Sequence, residues 1–164
     1  MPTVLITGAN RGIGLALAAR YTQARWRVIA TCHNPAVNGA AVRARAPEAR
    51  LLALDVREED SVAALRADCG AEAIDVLINN AGVYGPRGAP LGALPFEEWK
   101  DVLDVNLLGP LRVVEALRPA IARGSQKKIA TISSVMGSIS AAGAGGEYPY
   151  KTSKAALNMA LSLL

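Results

Sequence analysis

The sequence predicts an α/β fold: a doubly wound parallel sheet of about five strands with helices on both faces. Three observations carry this. Short aliphatic, β-branched runs at residues 3–7, 27–31, 50–54, 73–78 and 128–133 alternate with Ala/Leu-rich segments at helical spacing. Hydrophobic residues make up 51% of the chain and aromatic ones only 4%, so the core is built from Ala, Val, Leu and Ile, the usual filling of a buried parallel sheet. The first run feeds directly into a glycine-rich turn and a helix. A length of 164 residues suits one domain, residues 1–164, with a sizeable core.

Composition narrows the function. The net charge is +4, but Arg and Lys are scattered among helical segments without interleaved aromatics, so no nucleic-acid partner is expected. The excess positive charge gives a mild attraction for an anionic cofactor. Charged or glycine residues break every apolar run before membrane-spanning length, so no membrane partner is expected either. The first residues lack a basic region followed by an apolar segment, and cytoplasm is the expected compartment. Cys32 and Cys69 are too few for a disulfide framework, and no metal site is expected.

The first strand, Thr3 to Thr7, is followed by Gly8-Ala9-Asn10-Arg11-Gly12-Ile13-Gly14 and a helix from Ile13 to about Gln23. Strand, glycine turn and helix form a phosphate-binding, Rossmann-like unit. The glycines let the backbone turn tightly and approach a pyrophosphate, and the helix start offers free N–H groups and a positive dipole end. Gly8, Asn10, Arg11, Gly12, Ile13 and Gly14 are therefore candidate cofactor-binding residues. The second strand, Arg27 to Thr31, ends at Cys32-His33-Asn34-Pro35. An acid here would accept from a ribose 2′-hydroxyl and favour NAD. None occurs between Val28 and Glu48, whereas Arg11 and His33 are donors able to face a 2′-phosphate. NADP (as NADPH) is the expected cofactor, with His33 alternatively a plain surface residue.

Residues 39–49 are weakly helical, Arg50 to Leu54 is a strand ending in Asp55-Val56, and Glu58 to Ala67 is a helix with acids in its first turn. A strand from Ala73 to Ile78 runs into Asn79-Asn80-Ala81-Gly82, and Val83 to Pro95 reads as a Gly/Pro-rich surface loop. One long helix is expected from Phe96 to about Arg123, kinked by Pro110, which frees a carbonyl near Asn106. A fifth strand, Lys128 to Ser133, leads into Ser134-Val135-Met136-Gly137. After a small-residue loop from Ser138 to Pro149 comes a last helix, Tyr150 to Leu164, with Pro149 expected at its first position. Tyr150 and Lys154 lie one turn apart on one face. A phenol titrates near ~10, and a neighbouring ammonium favours the phenolate, so the pair is a candidate acid/base device. Tyr148 has Thr152, not Lys, four residues on.

Thr7-Gly8-x-x-x-Gly12-x-Gly14, Asn79-Asn80-Ala81-Gly82 and Tyr150-x-x-x-Lys154 together resemble the short-chain dehydrogenase/reductases of the ordinary branch. The run Ser153-Lys154-Ala155-Ala156-Leu157-Asn158-Met159 is similar to that of the C-factor-like carbonyl reductases within it. The resemblance implies hydride transfer between a nicotinamide and a small carbonyl or alcohol. It places Asp55, with Val56, beside the adenine ring. Asn80, Ala81 and Gly82 lie against the cofactor. Asn106 holds a water that relays protons to Lys154. Ser134, with Ser133 and Ser138 as runners-up, bonds the substrate oxygen. Tyr150 is the proton donor, and Lys154 holds the nicotinamide ribose. It also implies a homodimer or higher homo-oligomer. Family members continue with further strands and a helical substrate lid, so the reading here is of a shortened chain with the last strands of the family fold missing. The alternative is a non-catalytic nucleotide-binding or signalling module, or an inactive fragment lacking the lid.

Overall fold

The computed structural model describes every residue except Ala142, Ala144 and Gly145, which fall in the stretch read from sequence as the 138–149 loop. In chain order the elements are β1 (Thr3–Ile6), α1 (Gly12–Gln23), β2 (Arg27–Cys32), α2 (Pro35–Asn38), α3 (Ala40–Arg45), β3 (Arg50–Ala53), α4 (Glu59–Cys69) and β4 (Val76–Asn79). Then follow α5 (Phe96–Leu103), a π-helical turn (Asp104–Leu108), α6 (Gly109–Arg123), β5 (Lys128–Thr131), a 3₁₀ turn (Val135–Gly137) and α7 (Tyr148–Leu161). They fall into two compact units, residues 1–81 with 112–132 and residues 82–111 with 133–164.

The first unit holds a five-stranded parallel sheet in the order β3-β2-β1-β4-β5. Leu5 of β1 pairs with Ile29 of β2 on one side and Leu77 of β4 on the other. Side chains alternate across a strand. Val4, Ile6, Val28, Ala30, Val76 and Ile78 enter one core layer with Leu15, Ala18 and Val42. Leu5, Ile29 and Leu77 point the other way and are also fully buried. Burial on both faces explains why these strands read as continuous apolar runs. Each buried Val, Leu or Ile side chain among them contributes roughly 1.5–3 kcal/mol.

Several boundaries differ from the sequence reading. β4 starts at Val76 rather than Ala73, because the Ile74 N–H donates to the Ala120 carbonyl at 3.0 Å, outside the ladder. β1, β3 and β5 end at Ile6, Ala53 and Thr131, and β2 gains Cys32. Residues 35–45 form two short helices, the first capped by Asn34, whose Oδ1 accepts from the N–H groups of Ala36 and Val37. α4 continues to Cys69. Cys32 and Cys69 are buried free thiols, and burial pushes both up, Cys69 to about 11.

Asp75 ties the amino ends of three strands. One carboxylate oxygen accepts from the Thr3 N–H at 2.7 Å, and the other accepts from the Ser125 N–H at 2.7 Å and its hydroxyl at 2.6 Å. Its backbone N–H donates to Thr3 O at 2.9 Å, and its carbonyl accepts from the Lys128 N–H at 3.0 Å. The bonds donated to the carboxylate, the Ser125 hydroxyl first, hold it down at about 2.

In the second unit the expected single helix over 96–123 is interrupted. Asp104–Leu108 adopts a π turn, which takes up one extra residue per turn ahead of Gly109-Pro110 and re-aims Asn106. α7 starts at Tyr148, not Tyr150, so Pro149 sits at its second position. There its missing N–H is still one of the first-turn groups with no helical partner. α7 ends at Leu161 and packs on α5, the π turn and the 3₁₀ turn.

Candidate active site

In the sheet order, β1 leads to β2 and β3 on one side and the chain then crosses to β4 and β5 on the other. The carboxyl ends of β1 and β4 therefore flank the switch point where open α/β sheets bind ligands. Both sequence motifs meet there. Thr7 Oγ1 accepts from the N–H groups of Asn80 and Ala81, each at 3.0 Å. Asn80 Nδ2 donates to the Thr7 carbonyl at 2.9 Å and the Gly8 carbonyl at 3.0 Å. Gly8 has φ +64°, and a Cβ on it would lie 2.9 Å from Ala81 Cα. A Cβ on Gly14 would meet Asn80 Nδ2 and lie 2.5 Å from Gly8 O. The glycine loop is thus packed backbone-to-backbone against Asn80 and Ala81. At the start of α1, Arg11 provides no side-chain cap, and the first turn has no acid. The dipole end is left electropositive, with Arg11, Gly12 and Ile13 exposed around it and Asn10 partly so. These features fit a diphosphate.

At the end of β2, His33 does not stand alone. Its Nε2 lies 3.2 Å from Asp55 Oδ2. The same carboxylate accepts from Arg57 Nε at 3.1 Å and Arg57 Nη2 at 2.7 Å. Arg57 holds Asp55 down at about 2. Val56, next to it, is buried.

The second unit contains all four candidate catalytic residues, and Gly82 is its exposed first residue. Asn106 is completely buried. Its Oδ1 accepts from the Val83 N–H at 2.8 Å, and its Nδ2 donates to the Val83 carbonyl at 2.8 Å and to Ser153 Oγ at 3.0 Å. Ser153 Oγ donates in turn to the Tyr150 carbonyl at 2.8 Å. Asn106 is therefore linked to the turn of α7 that bears Tyr150. Lys154 is 5% exposed, its Nζ lies 5.8 Å from the Tyr150 ring centroid, and burial pushes its ammonium down. The Gly137 backbone abuts it: a Cβ there would lie 2.8 Å from Lys154 C and Cβ. Ser134 Oγ accepts from the Met136 N–H at 3.2 Å, which leaves its own proton to donate. The runners-up are engaged elsewhere, Ser133 with Asn158 Oδ1 at 2.6 Å and Ser138 with Ser140 at 3.0 Å. Thr152, four residues on from Tyr148, donates to the Tyr148 backbone carbonyl at 2.6 Å.

Sequence reasoning missed Thr7, Ser153, Tyr84 and Arg87. Tyr84 stacks on Tyr150, with centroids 4.4 Å apart and planes at 15°, and its hydroxyl contacts Met136 Sδ at 3.7 Å. The Arg87 guanidinium lies 4.2 Å from the Tyr84 centroid. No local signal marks residues from a Gly/Pro-rich loop as neighbours of a helix sixty positions later. Among the described residues no group of His, Cys, Asp and Glu could hold a metal ion, and no helix is long and apolar enough to cross a membrane.

A five-stranded parallel sheet with a glycine-lined cradle at its switch point defines a Rossmann-like, dinucleotide-binding class of protein. Residues 2–164 match the short chain dehydrogenase family, and the chain belongs to it. It is 47% identical to the C-signal of Myxococcus xanthus over 88 residues, 54% of this chain and 52% of that protein. It is 40% identical to retinol dehydrogenase 8 of Bos taurus over 143 residues, 82% of this chain and 45% of that one. The chain thus spans about half the length of these curated relatives. The crystal structure of a carbonyl reductase from Pseudomonas aeruginosa PAO1 in complex with NADP superposes with a TM-score of 0.85 at 30% identity, over 99% of this chain and 74% of that one. Carbonyl reductase Sniffer of D. melanogaster gives 0.84 at 30% identity, over 99% and 75%.

Proposed function

We propose that this member of the family is an NADP-dependent oxidoreductase that transfers a hydride between the nicotinamide and a small carbonyl or alcohol. The observation that carries the reading is the buried Lys154 one helical turn from Tyr150, on a segment pinned through Ser153 to Asn106. Gly8, Gly12, Gly14 and the start of α1 would hold the diphosphate. Asn80, Ala81 and Gly82 would lie along the rest of the nucleotide, with Asp55 and Val56 at the adenine. A bound nicotinamide supplies the hydride. Everything else falls to the chain's own groups. Tyr150 gives its phenolic proton to the substrate oxygen in reduction and takes it back in oxidation. Ser134 donates a hydrogen bond to the same oxygen as its charge grows. Lys154, in a low-dielectric position, favours the phenolate and holds the nicotinamide ribose hydroxyls. Asn106 supports Lys154 through a water relay from its backbone carbonyl.

The preference for NADP rests on charge. No acid stands between Val28 and Glu48, and Asp55 is already neutralised by Arg57. Arg11 remains as a donor for a 2′-phosphate, and His33 would join it on leaving Asp55, from which its Nε2 lies 3.2 Å. A fluorescence titration is expected to show NADPH binding at least tenfold tighter than NADH, with the margin lost in Arg11→Ala. Equal affinities would refute the assignment. NADPH oxidation is then followed over a panel of aldehydes and ketones. Binding without turnover of any of them would instead support a non-catalytic nucleotide-binding or signalling module.

Ser153→Ala removes the acceptor of a buried Asn106 N–H, at about 1–3 kcal/mol. We expect kcat to fall severalfold while NADPH affinity holds. A parallel loss of both would show that Ser153 only stabilises the fold.

A further inference from the structure

We propose that Arg87, held over Tyr84, is an anion-recognition residue and that the preferred carbonyl substrates carry a carboxylate. This rests on the functional reading just given and adds the chemical class of the substrate. Four side chains of the second unit are cationic: Arg87, Lys100, Lys151 and Lys154. Lys100 pairs with Glu97 at 2.8 Å, Lys151 lies 3.6 Å from Glu147, and Lys154 is buried. Arg87 is exposed, and among the described residues no carboxylate lies within ion-pair distance of it.

Nor is it a loosely waving side chain. Its guanidinium carbon sits 4.2 Å from the Tyr84 centroid, a cation–π contact. Tyr84 is itself held twice, by the stack on Tyr150 at 4.4 Å and by its hydroxyl on Met136 Sδ at 3.7 Å. Met136 lies two residues past Ser134, whose Oγ accepts its N–H. One contact chain, Arg87 to Tyr84 to Tyr150, thus ties an unpaired guanidinium to the proton donor. Cation–π contact uses the face of the guanidinium and leaves its five N–H donors in the plane, where a carboxylate binds two at a time. A substrate that set its carbonyl oxygen at Tyr150 and its carboxylate at Arg87 would be fixed at both ends. Lys would be a poor substitute, because it lacks the planar fork.

The test compares 4-formylbenzoate with its neutral methyl ester as substrates of the 164-residue chain with NADPH. The ratio of kcat/KM, acid over ester, is expected to fall about tenfold in Arg87→Gln, equivalent to about 1.4 kcal/mol. Tyr84→Ala, which releases the guanidinium, is expected to lower the same ratio, and Tyr84→Phe to preserve it. Raising the salt concentration is expected to shrink the preference in the unsubstituted chain. A ratio unchanged within twofold in Arg87→Gln overturns the proposal. Calorimetric titration of 4-formylbenzoate and of its ester, in the presence of NADP, separates this outcome from a failure of the catalytic reading. If no carbonyl is turned over but the acid binds more tightly than the ester and only while Arg87 is present, the anion site stands. Equal binding of acid and ester sinks it whether or not the chain turns over.

Discussion

Tyr150→Phe is expected to lower kcat for carbonyl reduction by roughly 10²–10⁴-fold, the usual contribution of a positioned acid or base. The substitution removes one oxygen and keeps the ring. The 4.4 Å stack on Tyr84 and the 5.8 Å approach of Lys154 Nζ both involve the ring, so they survive. The helix survives too, because Ser153 bonds the backbone carbonyl of residue 150 and not its side chain. Thermal stability is expected to stay within about 0.5 kcal/mol, as for a substitution that disturbs no packed contact. NADPH affinity should change by no more than a few-fold. Single-turnover rates with saturating NADPH, measured beside melting curves and the fluorescence titration, separate these quantities. A kcat within tenfold of that of the parent chain would remove Tyr150 from the proposed proton-transfer step.

Removing the Asp75 carboxylate is expected to have the largest effect on stability, about 2–4 kcal/mol for Asp75→Ala. Three donors converge on this side chain, the Thr3 and Ser125 N–H groups and the Ser125 hydroxyl. Ser125 is exposed and would recover its bonds from water. Thr3 is 4% exposed, so its N–H would stay unpaired. At roughly 2–4 °C per kcal/mol for a chain of this size, the melting temperature should drop by about 5–15 °C. Asp75→Asn should also destabilise, because an amide presents two N–H donors where only acceptors are wanted.

The same carboxyl makes stability pH-dependent. It is held down at about 2 in the folded chain, against an ordinary value of 3.8. The unfolded chain therefore takes up the proton first as pH falls, and the contribution of Asp75 is complete above pH ~4 and lost towards pH ~2. Urea midpoints measured across pH 2–5 should fall less steeply in Asp75→Asn than in the parent. Parallel slopes would show that this carboxyl does not set the acid limit.

Much of the site could be read from the chain itself, for a physical reason. Tyr150 and Lys154 share a helix face because of their spacing, and a glycine turn between a strand and a helix can be recognised without tertiary information. The aliphatic strands are similar: burial on both faces leaves an apolar run visible in composition. Pro110 correctly marked a disturbance near Asn106, but not its form. Whether a helix absorbs the break as a kink or as a π turn over Asp104–Leu108 depends on what the turn packs against, here α5 and α7.

The sequence by itself therefore determined the parallel α/β class, the glycine cradle and the candidates for proton transfer. All of these rest on local spacing and residue chemistry. Tertiary structure decided what holds them. Parallel pairing of β1 with β4 brings Thr7 to Asn80, and packing of α7 on the π turn brings Asn106 to Ser153. The fold of the 83–95 loop sets Tyr84 on Tyr150. Each of these contacts joins residues more than forty positions apart, and no periodicity within one segment encodes them.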